Sequence, residues 1–155
     1  MLLSCKKEII KYGPIVFILF LVDIITKYIF TNKSYFDGFL ISIKYVQNKG
    51  SAFSLFSGVE LYNIIIILLS IIVLTVLFYN FKSFSKNKIY LYSILLLICG
   101  ILGNLYDRIV FGFVRDFISL KYLFVFNIAD LYLTLGIILI LYYELQESKF
   151  INFKK

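Results

Sequence analysis

Asp116 and Asp130 flank the stretch FISLKYLFVFNIA, in which Ser119, Lys121 and Asn127 are the polar side chains besides one tyrosine. Two carboxylates brought close together cannot both ionise readily, so one pKa rises and the other falls. Near neutral pH one can then act as base and the other as acid. The ionised member takes a proton from water, and the water attacks a carbonyl carbon. A low-dielectric site strengthens every such interaction. Asparagine or backbone N–H groups could stabilise the developing oxyanion, and no metal or other cofactor is required.

Three further groups have helical spacing. Asp23, Thr26 and Lys27 stand at i, i+3 and i+4. Asn104, Asp107 and Arg108 repeat that spacing, and Asn127 and Asp130 stand at i and i+3. Residues three and four apart share a helix face, so each group draws a polar stripe along an apolar helix. Interhelical glue is the plain reading: Asp23 bridging Lys27, and Asp107 in a buried ion-pair network with Arg108. Asp130 fits it less well, because it has no cation within a turn. Ionisable residues inside a membrane are functional candidates by default, and spacing alone leaves both readings open. Histidine is absent, which excludes Ser/His and Cys/His catalysis and removes the commonest zinc ligand. Cys5 and Cys99 do not make a disulfide framework.

The elements that must position these groups are membrane helices. Of the 155 residues, 61% are hydrophobic and only 16% charged, against about a quarter charged in a soluble domain. Four segments can cross a hydrocarbon core of about 30 Å: about 12–30, 61–81, 89–106 and 125–143. The expectation is a single integral-membrane domain over 1–155, all-α and polytopic, with four transmembrane helices. Lys6, Lys7 and Lys11 precede the first span, but Asp23 and Lys27 lie within it and no cleavage site follows, so it reads as a retained helix. Lys6, Lys7, Lys11, Lys82, Lys86, Lys88, Lys149, Lys154 and Lys155 fall on one side. The positive-inside rule makes that side, and both termini, cytoplasmic. Lys33, Lys44, Lys49, Arg108, Arg115 and Lys121 fall in two longer loops opposite. The net charge of +7 is explained by topology and anionic lipid rather than nucleic acid. The loop FLISIKYVQNKGSAFSLFSG opens with strand-like alternation and turns through Asn48, Lys49 and Gly50. A small extracytoplasmic β-containing segment is therefore expected, with the chemistry at the outer membrane surface.

Five segments carry a resemblance to a known family: DIITK at 23–27, NKGSAFS at 48–54, GNLYDR at 103–108, GFVRDF at 112–117 and FNIADLYLTLG at 126–136. The chain resembles the lipoprotein signal peptidases, or signal peptidase II family. These are four-helix aspartyl proteases of the bacterial inner membrane that remove signal peptides from diacylglyceryl-modified prolipoproteins, just before the lipidated cysteine. The resemblance implies that Asp116 and Asp130 form the catalytic dyad. It implies that Asn48, Gly50, Asn104, Arg108 and Asn127 bind substrate, with Arg108 suited to the lipid phosphate. Asp23, Lys27 and Asp107 are expected to support the site, Asp107 by orienting Arg108 or its loop. Cyclic peptide antibiotics are the expected inhibitors, and a monomer the expected state. Lys49 and Ser51 depart from the family's usual turn, and the connection between the aspartates is shorter than the family's. LLSC at 2–5 reads like a lipobox but has no apolar helix before it. A proton-coupled transporter would spread its polar residues along the depth of several helices. A non-enzymatic scaffold would tolerate Asp→Asn at both positions.

Overall fold

A computed structural model of the chain describes residues 2–31, 34–50, 60–84, 87–121 and 123–152. Lys33, Lys86, Lys154, Lys155 and Ser51 lie outside the described residues. Among the described residues, four helices are long and apolar enough to cross a membrane: α1 (Leu2–Phe30), α2 (Glu60–Phe84), α3 (Lys88–Phe111) and α4 (Ile128–Asn152). A small antiparallel sheet joins them: β1 (Ser34–Asp37), β2 (Ile41–Asn48), β3 (Val114–Leu120) and β4 (Phe124–Phe126), in the order β1-β2-β3-β4. This is the expected class, a helical polytopic membrane protein with a small β element.

The helices also extend past the expected spans at their far ends, to Leu2 and Asn152, and two boundaries near the sheet differ from the hydropathy reading. The third helix runs on to Phe111 rather than ending near 106, so Arg108 is helical and buried rather than part of a loop. The fourth helix starts at Ile128 rather than 125. The apolar residues before it pair with β3, Val125 opposite Ser119 and Phe126 opposite Ile118. Apolarity alone cannot tell a short strand from the first turn of a membrane helix.

Helix α3 is the core of the bundle. Leu91, Ile94, Leu95, Cys99 and Leu105 are buried along it, and Val114, Phe117 and Ala129 pack nearby. The exposed side chains of α1, α2 and α4 are mainly large and apolar, as lipid-facing surfaces must be. Asn87 caps the start of α3, its Oδ1 accepting from the Ile89 N–H at 2.7 Å. Gly112 ends the helix at φ 77°, with its N–H on the Arg108 carbonyl, the left-handed cap that glycine adopts without strain. That cap turns the chain directly into β3.

Glycines let α4 approach. A Cβ on Gly100 would lie 2.6 Å from the Ala129 carbonyl oxygen, and one on Gly136 would lie 2.9 Å from Leu97. Small residues at such crossings let membrane helices pack backbone to backbone. The start of α4 is thereby seated against the middle of α3, beside β3.

Candidate active site

The local sequence Asn-Ile-Ala-Asp at 127–130 is a helix start signal, a capping residue followed three positions on by a carboxylate. The structure forms that reciprocal box. Asn127 Oδ1 accepts the Asp130 N–H at 3.0 Å, and Asp130 Oδ2 accepts the Asn127 N–H at 3.2 Å. A negative charge is favoured at a helix N-terminus. Asp130 is thus turned back toward the start of its own helix. The next free amide there, Ala129 N–H, donates to Asp23 Oδ1 of α1 at 2.8 Å.

Asp116 reaches the same place from β3, where it pairs with Val46 of β2. It is 1% exposed. Its Oδ1 accepts from Asn127 Nδ2 at 2.6 Å and its Oδ2 from Asn48 Nδ2 at 3.0 Å. Burial pushes the Asp116 carboxyl up to about 7, the charge of Asp130 adds to that rise, and the two asparagine amides oppose it. The preceding residue fixes the strand. Arg115 gives its backbone N–H to Asp107 Oδ2 at 2.9 Å and its guanidinium to Asp107 Oδ1 at 2.7 Å. The same guanidinium lies over the Phe111 ring, 4.5 Å from its centroid.

Two asparagines join the aspartates. Asn127 touches both of them. Asn104 Nδ2 donates to Asp130 Oδ1 at 2.8 Å, and Asn104 Oδ1 accepts from Asn127 Nδ2 at 3.2 Å. Asn48 carries the network to the turn after β2, its Oδ1 accepting the Gly50 N–H at 3.0 Å. Arg108 donates to the Gly50 carbonyl at 2.7 Å and to Asn63 Oδ1 at 3.3 Å. A cleft of about 540 Å³ opens beside these groups, with Asn48, Asn104, Arg108 and Asp130 on a polar side and Leu120, Phe126 and Leu131 among its apolar walls.

Lys27 is fully buried. Its Nζ lies 2.8 Å from Asp23 Oδ2 and 3.5 Å from Asp107 Oδ2. It donates to the Gly103 carbonyl at 3.2 Å and to Asn104 Oδ1 at 3.1 Å. Asp23 Oδ2 has no aligned hydrogen bond, so its tie to Lys27 is one of charge and proximity. Breaking a buried ion pair by removing one partner costs about 3–5 kcal/mol.

All ten residues singled out in the sequence meet in one network at the sheet end of the bundle. Asp107 differs in its partner: it grips Arg115 and stands near Lys27, where the sequence reading paired it with Arg108. Two contributors were not foreseen. By sequence Arg115 reads as a loop charge, although it stands immediately before Asp116. Asn63 ties α2 to Arg108, and its side-chain Nδ2 also donates to the Arg108 carbonyl at 3.3 Å. The second span has two asparagines, Asn63 and Asn80, and Asn63 is the one at the Arg108 end.

The arrangement brings two buried carboxylates onto one asparagine, beside a cleft whose walls are mainly apolar. Among the described residues, no group of three His, Cys, Asp or Glu side chains could hold a metal ion.

The model of the family described as signal peptidase (SPase) II matches residues 15–146. A lipoprotein signal peptidase of Caldicellulosiruptor bescii is 39% identical over 111 residues, 72% of this chain and 71% of that protein. One from Wigglesworthia glossinidia brevipalpis is 36% identical over 142 residues, 85% of this chain and 92% of that protein. A bacterial membrane enzyme solved by the in meso method superposes with a TM-score of 0.78 at 32% identity, covering 89% of each chain.

Proposed function

Because the chain belongs to the signal peptidase II family, a membrane peptidase family acting on prolipoproteins, we propose that it cleaves diacylglyceryl-modified precursors just before the lipidated cysteine, using Asp116 and Asp130 as a water-activating pair. The observation that carries this is Asn127 bonded to both carboxylates at the edge of a mainly apolar cleft.

The chemistry follows from the pair's proton count. With one proton between them, the ionised aspartate takes a proton from the bound water. The hydroxyl adds to the carbonyl carbon of the residue before the cysteine. The protonated partner supplies the proton that the leaving amine needs, and the C–N bond breaks. The pair titrates as one unit, and either aspartate can start as base. The Asn48–Gly50 turn is the group for the substrate backbone. Arg108 meets the lipid phosphate through guanidinium N–H donors. The apolar wall takes the signal segment and acyl chains. Topology follows the charge bias: both termini cytoplasmic, the sheet and the aspartates near the outer face of the bacterial inner membrane.

The test is a pair of purified precursors identical except for the diacylglyceryl group. Mass spectrometry of the products is expected to show one cut, immediately before the cysteine, in the lipidated precursor alone. Equal cleavage of both, or a cut elsewhere, refutes the substrate assignment.

A further inference from the structure

Lys27 does more than neutralise Asp23. A lysine ammonium has donors and no acceptor, so the amide of Asn104 must turn its oxygen toward Nζ. Its NH2 is thereby committed to the opposite side, where it meets Asp130 Oδ1 at 2.8 Å. The reverse orientation would set two donors against each other at one end and two acceptors at the other. The same Nζ lies 3.5 Å from Asp107 Oδ2, the oxygen that accepts the Arg115 N–H, and Asp116 is the next residue. One cation on α1 therefore touches both arms of the network, Asn104 on the way to Asp130 and Asp107 on the way to Asp116.

We propose that Lys27 is a positioning residue for the reaction, fixing the Asn104 amide toward Asp130 and steadying the Asp107–Arg115 clip that sets Asp116. The proposal rests on the two-aspartate reading. It goes beyond structural support because it places the effect of Lys27 on turnover and its pH dependence. Asp116 is faced by Asp130 and Asn127 from α4 and its cap, Asn48 from β2 and Arg108 from α3. Lys27 supplies the cation from α1. Its charge opposes the rise that burial imposes on Asp116, so its removal raises Asp116 further and moves the acid limb of the pH–rate profile to higher pH.

The variants are Lys27→Met, the charge-balanced Asp23→Asn/Lys27→Met, and Asp116→Asn, each compared with wild type on a lipidated precursor. The double variant keeps an oxygen on residue 23 for the Ala129 N–H and leaves no lone buried charge from the pair. Positioning predicts that the double variant folds, keeps KM within about threefold and loses kcat by about 100-fold, the cost of a misplacement of order 1 Å. The acid limb moves up by about one pH unit in Lys27→Met and by less in the double variant, where the opposing charge of Asp23 leaves with the cation. Should Lys27→Met fail to fold, the double variant alone decides. A double variant with wild-type kcat and pH profile, beside an inactive Asp116→Asn, overturns the role of Lys27 and leaves the dyad standing. Wild-type turnover by Asp116→Asn overturns both.

Discussion

Replacing Asp116 by asparagine is expected to change how the stability of the protein depends on pH. The carboxyl is held up to about 7 by burial and by Asp130, against an ordinary value of 3.8. Between pH about 4 and 7 the native state keeps a proton that the unfolded chain has released. Proton linkage then lowers stability as pH rises through that window. At 1.36 kcal/mol per unit, the loss from this one group is about 4 kcal/mol above pH 7. The asparagine of the Asp116→Asn variant carries no such penalty. It does put an NH2 where one oxygen stood, so either the Asn48 or the Asn127 amide loses its acceptor, at a cost of about 1–3 kcal/mol. The two curves therefore cross. The variant is less stable than wild type near pH 4 and more stable, by about 1–3 kcal/mol, near pH 8. The chain has no tryptophan, so the assay is thermal unfolding in detergent followed by circular dichroism at both pH values. Parallel curves for the two proteins would refute the claim that Asp116 carries a raised pKa, and with it the proton sharing on which the mechanism depends.

Other sites follow from packing and charge. Gly103→Ala places a Cβ against Asp23 Oδ2 and 3.1 Å from the Ala129 Cβ; both neighbours are fixed, so thermal unfolding should show a loss of about 1–3 kcal/mol. Gly112→Ala has open space around the new methyl and pays only for φ 77°, so the same measurement should show a smaller loss of about 1 kcal/mol. Arg108→Gln removes the cation beside the cleft, and kinetics on a lipidated precursor should show a drop in kcat/KM of at least about tenfold, carried mainly by KM.

Much of this was legible in the sequence. Stripes at i, i+3 and i+4 on apolar helices marked Asp23, Lys27, Asn104, Arg108 and Asp130 as facing inward, because lipid leaves polar side chains nowhere else to go. The partners of Asp107 were not legible. Adjacency in the chain suggested Arg108, but neighbours on a helix point about 100° apart, and the left-handed turn at Gly112 instead folds Arg115 back onto Asp107. The start of α4 was blurred because Val125 and Phe126 are as apolar as a membrane span while serving as a strand. Asn63 is hard to read from the sequence because two amides hardly change the hydropathy of so apolar a helix.

Asp116→Asn and Asp130→Asn, each purified folded and mixed with a diacylglyceryl-modified prolipoprotein, test the central claim most directly. Asparagine keeps the shape and removes the titrating group. The two-carboxylate account predicts that wild type releases the signal peptide while each variant, at equal concentration, gives no mass shift on the gel. Cleavage at the wild-type rate by either variant would contradict it.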